Sequence, residues 1–160
     1  MSTATYSVAL RLRHPHIDPG EITRHLGIEA THAWRAGEAR RLESGEIGEG
    51  LYRETYWVGL LPNSPIPSEA LGRRGPLPAR LATLASVPQA TLFFTLLKMK
   101  RVAPFWKTFT DEGGSIECLL QIDSPERFHL EMSQALLTLL VAMRVTLSIE
   151  VDTTQRAAAA

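Results

Sequence analysis

Tyr6, Val8, Leu10 and Leu12 alternate with Ser7, Ala9, Arg11 and Arg13, and this two-residue period predicts a strand with one buried face. Asp18-Pro19-Gly20-Glu21 then has the signature of a helix start. The Asp18 carboxylate can accept from free backbone N–H groups, Pro19 suits the first helical position, and Glu21 completes a box-like cap. The helix through Ile22, His25 and Leu26 is predicted to stop at Gly27, which enters the left-handed conformation at little cost. Residues 31–50, rich in Gly, Arg and Glu, predict a long, structured loop. A second strand is predicted over Leu51 to Leu61 from the β-formers Tyr52, Thr55, Tyr56, Trp57 and Val58.

Pro62 to Pro78 holds five of the ten prolines together with Gly72 and Gly75, too many breakers for a sustained helix or ladder. Residues 62–87 are predicted as a surface excursion, with a short helix over Ala79 to Ala85, because neither side alone has enough elements for a core. From Pro88, the helical spacing of Leu92, Phe93, Leu96 and Leu97 predicts a firmer helix, its C-terminal dipole complemented by Lys98, Lys100 and Arg101. Pro104 restarts the chain into a helix bearing Phe105, Trp106 and Phe109 that ends at Gly113-Gly114. Ile116, Cys118, Leu120 and Ile122 mark a third strand, Ser115 to Asp123. Ser124-Pro125-Glu126 opens a predicted helix to Ala142, and Val145, Leu147, Ile149 and Val151 alternate along a fourth strand.

Strand, Asp18-Pro19, helix, strand is echoed by strand, Ser124-Pro125, helix, strand. Two such units in tandem predict an α+β fold with a ferredoxin-like, four-stranded, mainly antiparallel sheet. Helices are expected on one face, with a helical and proline-rich insertion between the halves. Residues 1–154 are read as one domain and residues 155–160 as a tail.

The 160 residues suffice for a core burying roughly two-thirds of the unfolded surface without disulfides or metal. Seventeen basic residues balance seventeen acidic ones, so no global field draws the protein to nucleic acid or acidic membranes. Cys118 is the sole cysteine, which forbids an intramolecular disulfide and fits a reducing compartment. The N-terminus lacks the apolar core of a signal peptide, and the longest apolar run, Ala135 to Met143, falls far short of a membrane span. Cytoplasmic residence is the expectation.

His14-x-His16-x-Asp18 offers two nitrogens and a carboxylate at a strand end, a partial donor set for zinc. It is similar to the first part of the His-x-His-x-Asp-His motif of metallo-β-lactamase-like hydrolases, but Pro19 stands where the last histidine belongs. The alternative gives Asp18 a complete role as helix cap, and that reading is preferred. Cys118 could act as a nucleophile with His129 or His32 as base, yet its neighbours Ile116 and Leu120 at two-residue spacing place it in the core. Gly45-x-x-Gly48-x-Gly50 is interleaved with Glu46 and Glu49 and precedes a strand, so it is neither a P-loop nor a dinucleotide fingerprint. No cofactor and no catalytic residue is indicated.

Trp34, Arg35, Gly37, Arg40, Arg41 and Trp57 are the candidate binding residues, with Arg73-Arg74 as a further partner-facing pair. The competing reading turns Trp34 inward to plug the end of the sheet and leaves the arginines solvated, and for Trp34 it is preferred, because loop tryptophans commonly cap cores. The helix carrying Ala135 to Met143 is apolar almost all round, which implies cover on more than one side and suggests a homodimer through residues 130–143.

The strand leading to Asp18-Pro19-Gly20-Glu21-Ile22-Thr23, then Leu26-Gly27-Ile28-Glu29, Thr31 and Trp34-Arg35-Ala36-Gly37-Glu38, form one series of signals. Trp57, Phe105-Trp106, Gly113-Gly114 and the final helix-to-strand passage ending at Asp152 complete it. Over most of its length the chain thereby resembles the bacterial family grouped as domain of unknown function 4279. The resemblance implies a single α+β domain and weight on Trp34, Arg35 and Gly37, and it implies no reaction or cofactor. The chain departs from the family in the excursion from Asn63 to Val87, where a shorter link is expected. A non-enzymatic protein-interaction module is the leading expectation, an immunity-type protein being one concrete form. A small-ligand sensor is the alternative, and a metal-dependent hydrolase using His14, His16 and Asp18 stands third.

Overall fold

A computed structural model describes residues 5–61, 88–123, 130 and 132–152. In chain order the elements are β1 (Thr5–His14), α1 (Pro19–Leu26), β2 (His32–Trp34), β3 (Ala39–Arg41), β4 (Ile47–Leu51) and β5 (Thr55–Leu60). They continue with α2 (Pro88–Arg101), α3 (Ala103–Asp111), β6 (Ser115–Asp123), α4 (Gln134–Ala142) and β7 (Val145–Asp152). The Pro62-to-Val87 excursion, with its predicted 79–85 helix and Arg73-Arg74, lies outside the described residues, as do Ser124-Pro125-Glu126 and His129.

Five strands form one mixed sheet in the order β2-β5-β1-β6-β7, and β3 and β4 form a separate hairpin. β1 lies at the centre, antiparallel to both β5 and β6, while β6 and β7 run parallel. Alternation decides the faces: Leu12 stands opposite Trp57 and Ile116, Leu10 opposite Cys118, and Val8 opposite Leu120. This apolar side meets Ile22 of α1, Leu92, Leu96 and Met99 of α2, Trp106 and Phe109 of α3, and Leu136 and Leu139 of α4 in one core cluster. The other side is polar: Arg11 pairs with Glu117 at 3.3 Å, Ser148 donates to Glu117, and Gln121 donates to Glu150.

The α+β class stands, and so does the mainly antiparallel character, in three of the four pairings, while the sheet departs from the expected arrangement in other respects. It has five strands rather than four, because β2 and the β3–β4 hairpin lie inside the predicted 31–50 loop, so the first strand–helix–strand unit closes at β2. Its one parallel pairing is β6 with β7, because the helical crossover from β6 lands β7 beside it in the same direction. The ferredoxin-like arrangement expected of the two predicted halves is not confirmed by this order. The predicted 51–61 strand divides between the end of β4 and β5, and α4 starts at Gln134, where Ser133 caps it, while the predicted helix start near Glu126 lies outside the described residues. Among the described residues, no helix is long and apolar enough to cross a membrane.

Candidate functional site

Two surfaces gather the chemistry-bearing side chains. The first is on the helix-free side of the sheet. Trp34 pairs with Tyr56, and the three-ring stack Tyr52–Trp34–Tyr56 has centroid separations of 4.8 and 4.4 Å. Arg13 lies 5.8 Å over the Tyr56 ring. Trp34 is thus half-buried on the outer face and does not plug the core. Tyr52 fixes the hairpin below it, its hydroxyl accepting from the Arg41 N–H at 3.0 Å. Arg40 and Arg41 are exposed, as are Leu42, Ile47 and Leu51, which are 54%, 73% and 60% accessible. Gly37 turns the chain into the hairpin with φ 83°, and its N–H donates to the Tyr52 carbonyl. Trp57, a candidate binding residue in the sequence, is a core residue instead: it has no exposed surface and donates its indole N–H to Thr23 Oγ1 at 3.0 Å.

The second surface is a cleft of about 380 Å³ at the end of β1, between the start of α1 and the end of α3. His14 continues the inward alternation of Val8, Leu10 and Leu12, so it is buried, 4.8 Å from the Phe109 ring. The next residues fold over it, and its Nδ1 accepts from the His16 and Ile17 N–H groups at 3.2 and 3.0 Å. A ring nitrogen that accepts carries no proton, so the proton sits on Nε2. Nε2 lies 3.5 Å from Glu112 Oε2 and closes no hydrogen bond among the described residues. Burial, then His16, hold this imidazole below the ordinary histidine value, against the raising pull of Glu112.

Asp18 caps α1 by accepting from the Gly20 N–H at 2.7 Å and pairs with Arg35 at 3.3 Å. Thr55 brings Arg35 there: its buried hydroxyl donates to the Ile17 carbonyl at 2.7 Å and accepts from the Ala36 N–H at 3.1 Å. Phe105 of α3 stacks on His25 of α1 at 3.7 Å and ties the two walls together. His14 and His16 meet edge to face, while Asp18 turns to its cap and to Arg35. With Nδ1 occupied by amides and Nε2 protonated, His14 has no lone pair for a metal, and among the described residues no cluster of three or more metal-ligating side chains occurs.

Cys118 is fully buried, and burial, then Glu117, push its thiol up to about 12. His32 cannot serve it as base: His32 is exposed on β2, at the edge of the sheet, with β5 and β1 between it and β6. Sequence reasoning missed Glu112, Thr55 and the two tyrosines of the stack. Glu112 carried no signal beyond its place before Gly113-Gly114, since it joins His14 only when α3 packs over the end of β1.

Residues 3–64 match the model of the family described as Domain of unknown function (DUF4279). This stretch carries β1 through β5, the Trp34-to-Glu38 segment and the Asp18 cap, whereas Phe105-Trp106, Gly113-Gly114 and Glu112 lie beyond it. The resemblance read over most of the chain is thus supported over that stretch. Neither a curated protein nor a solved structure matches the chain.

Proposed function

We propose that this domain is a non-enzymatic protein-interaction module that presents its β3–β4 hairpin to another protein. The observation that carries this reading is the exposure of Leu42, Ile47 and Leu51 on one short hairpin. Such concentrated exposure of large aliphatic side chains is costly to keep in water and gains its return when covered. Ala39 faces Leu51 and Arg41 faces Ile47 across the hairpin, so the apolar strip carries a cation beside it. A partner with an apolar centre and a rim carboxylate fits that surface. The Trp34 stack braces the hairpin against the sheet, which lowers the ordering cost of binding. The order β2-β5-β1-β6, with α1 between β1 and β2 and the α2–α3 pair between β5 and β6, supports reading these four strands as a ferredoxin-like unit that β7 extends.

The test is a photo-crosslinker at position 47, with capture from native lysate by wild type, Trp34→Ala/Arg35→Ala and Ile47→Lys/Leu51→Lys. A stoichiometric partner crosslinked at position 47 and lost from both folded variants is the expected result. A partner retained equally by the hairpin variant, or no crosslink at this position, would sink the assignment.

A further inference from the structure

The two edges of the sheet are built differently. β2 closes one edge with three residues, too short to template a foreign strand. β7 closes the other with eight residues in unbroken register along β6, from Val145 opposite Ile116 to Asp152 opposite Asp123. Among the described residues no strand covers its outer side. Val145 to Asp152 contains no proline, no glycine, no lysine and no bulge, so the devices that blunt an edge are missing where the edge is longest. A row of backbone N–H and C=O groups about 26 Å long is left open to pairing.

The side chains bordering this edge want the same cover. Val145, Leu147, Ile149 and Val151 share the helix side with Ile116, Cys118, Leu120 and Ile122, yet Ile149 and Val151 are each 44% accessible. α4 packs on β7 and against α2, and its Leu137 and Val141 stay exposed in a row four residues apart. A second β7 fits here by its own sequence. Residues opposite each other in an antiparallel pair share a face, so the alternation admits only registers that set odd-numbered residues against odd-numbered ones. With Ser148 opposite Ser148 of the second copy, Val145 faces Val151, Leu147 faces Ile149 and Thr146 faces Glu150, all within β7. Centring the pair on Glu150 would shorten the overlap and set two carboxylates opposite each other. Centred on Ser148, the two Glu150 side chains stand four residues apart along the strands, about 14 Å and beyond the Debye length of about 8 Å.

We infer that two copies of this chain pair antiparallel through β7, about a two-fold axis at Ser148, into one continuous ten-stranded sheet. The axis stands normal to the sheet, so the helices of both copies lie on one side and the exposed rows of the two α4 helices turn toward each other. Backbone pairing thereby supplies the register that an apolar helix contact alone lacks. The interface is at the edge opposite β2, so each copy keeps its hairpin free and the dimer presents two. It stands whether or not the hairpin has a partner of its own.

Sedimentation of the full chain over a wide concentration range, combined with cysteine crosslinking, tests the inference. Wild type is expected to reach the mass of two chains. Ser148→Cys is expected to form a disulfide-linked dimer under mild oxidation, because opposite Cα atoms in the pair are about 4.5–5.5 Å apart, whereas Glu150→Cys, at about 14 Å from its copy, is not. The native Cys118 is buried and takes no part. Ile149→Lys/Val151→Lys is expected to give the mass of one chain with an unchanged far-ultraviolet spectrum, while Leu60→Lys, at an exposed strand position away from β7, keeps the wild-type mass. Should the double lysine variant fail to fold, the two cysteine variants decide the matter in the folded protein. A single-chain mass for wild type at every concentration would overturn the inference and leave the edge to another occupant. A two-chain mass with Ser148→Cys uncrosslinked, with Glu150→Cys crosslinked as fast, or with the folded lysine variant still paired would overturn it equally.

Discussion

Cys118 illustrates how burial sets the chemistry of one side chain. Its thiol stays protonated in the folded protein up to about 12, whereas in an unfolded chain it ionises near the ordinary value of 9.0. Between these values the folded state holds a proton that the unfolded state has released, so stability falls as pH rises, by at most about 1.4 kcal/mol per pH unit from this group. The contribution is complete below pH 9. Denaturant titrations of wild type and Cys118→Val from pH 8 to 11 are expected to diverge above pH 9, the valine variant losing less. Parallel profiles would mean that the folded thiol ionises freely. The two strand tryptophans show where residue-level reading stops. Trp57 lies among β-formers and Trp34 in a stretch that predicts a loop, yet both are strand residues. Trp34 pairs with Tyr56 on the open face while Trp57, one register step away, pairs with Leu12 in the core. A shift of one residue exchanges the two faces, and only the neighbouring strand says which applies.

At the level of elements, ends were more legible than partners. Asp18, Pro19 and Gly27 bracket α1 as their chemistry requires, with Gly27 at φ 65°. Gly113-Gly114 closes α3 for a reason the sequence only hints at: a Cβ on Gly114 would stand 2.5 Å from the Phe109 carbonyl oxygen and ring. Gly114→Ala is therefore expected to destabilise the protein by about 1–3 kcal/mol, read by denaturant unfolding. Stability unchanged within a few tenths would show that the turn relaxes freely. The hairpin stayed hidden because Gly45, Gly48 and Gly50 break any alternation and Ile47 and Leu51 point outward, where periodicity carries no burial signal, and β2 because three residues are too few to show a period. The His14 cleft was half visible. His14, His16 and Asp18 lie together in sequence, but Glu112 arrives from an element nearly a hundred residues away.

At the scale of the molecule, the apolar α4 sequence finds cover on one side only among the described residues. Leu136, Leu139 and Leu140 are buried, whereas Leu137 and Val141, four residues apart, are 46% and 78% accessible. A homodimer through the 130–143 helix would bury that pair, and Val141→Glu is expected to halve the mass measured by light scattering. A single-chain mass for wild type at high concentration would remove the pairing. The central place of β1 has a further consequence, in time rather than in space. β1 leaves the ribosome well before its neighbour β6, and Ser7 meets Gln121 across 114 residues of chain. At roughly 5–20 residues per second, the nascent chain carries Val8, Leu10 and Leu12 without their last partner for several seconds. Residues 3–64 alone supply β5 for one edge of β1 and nothing for the other, so that segment made by itself is expected to recruit a foreign strand. The order in which the sheet closes thus delays its completion until β6 is made, with β1 the strand that waits for its second neighbour.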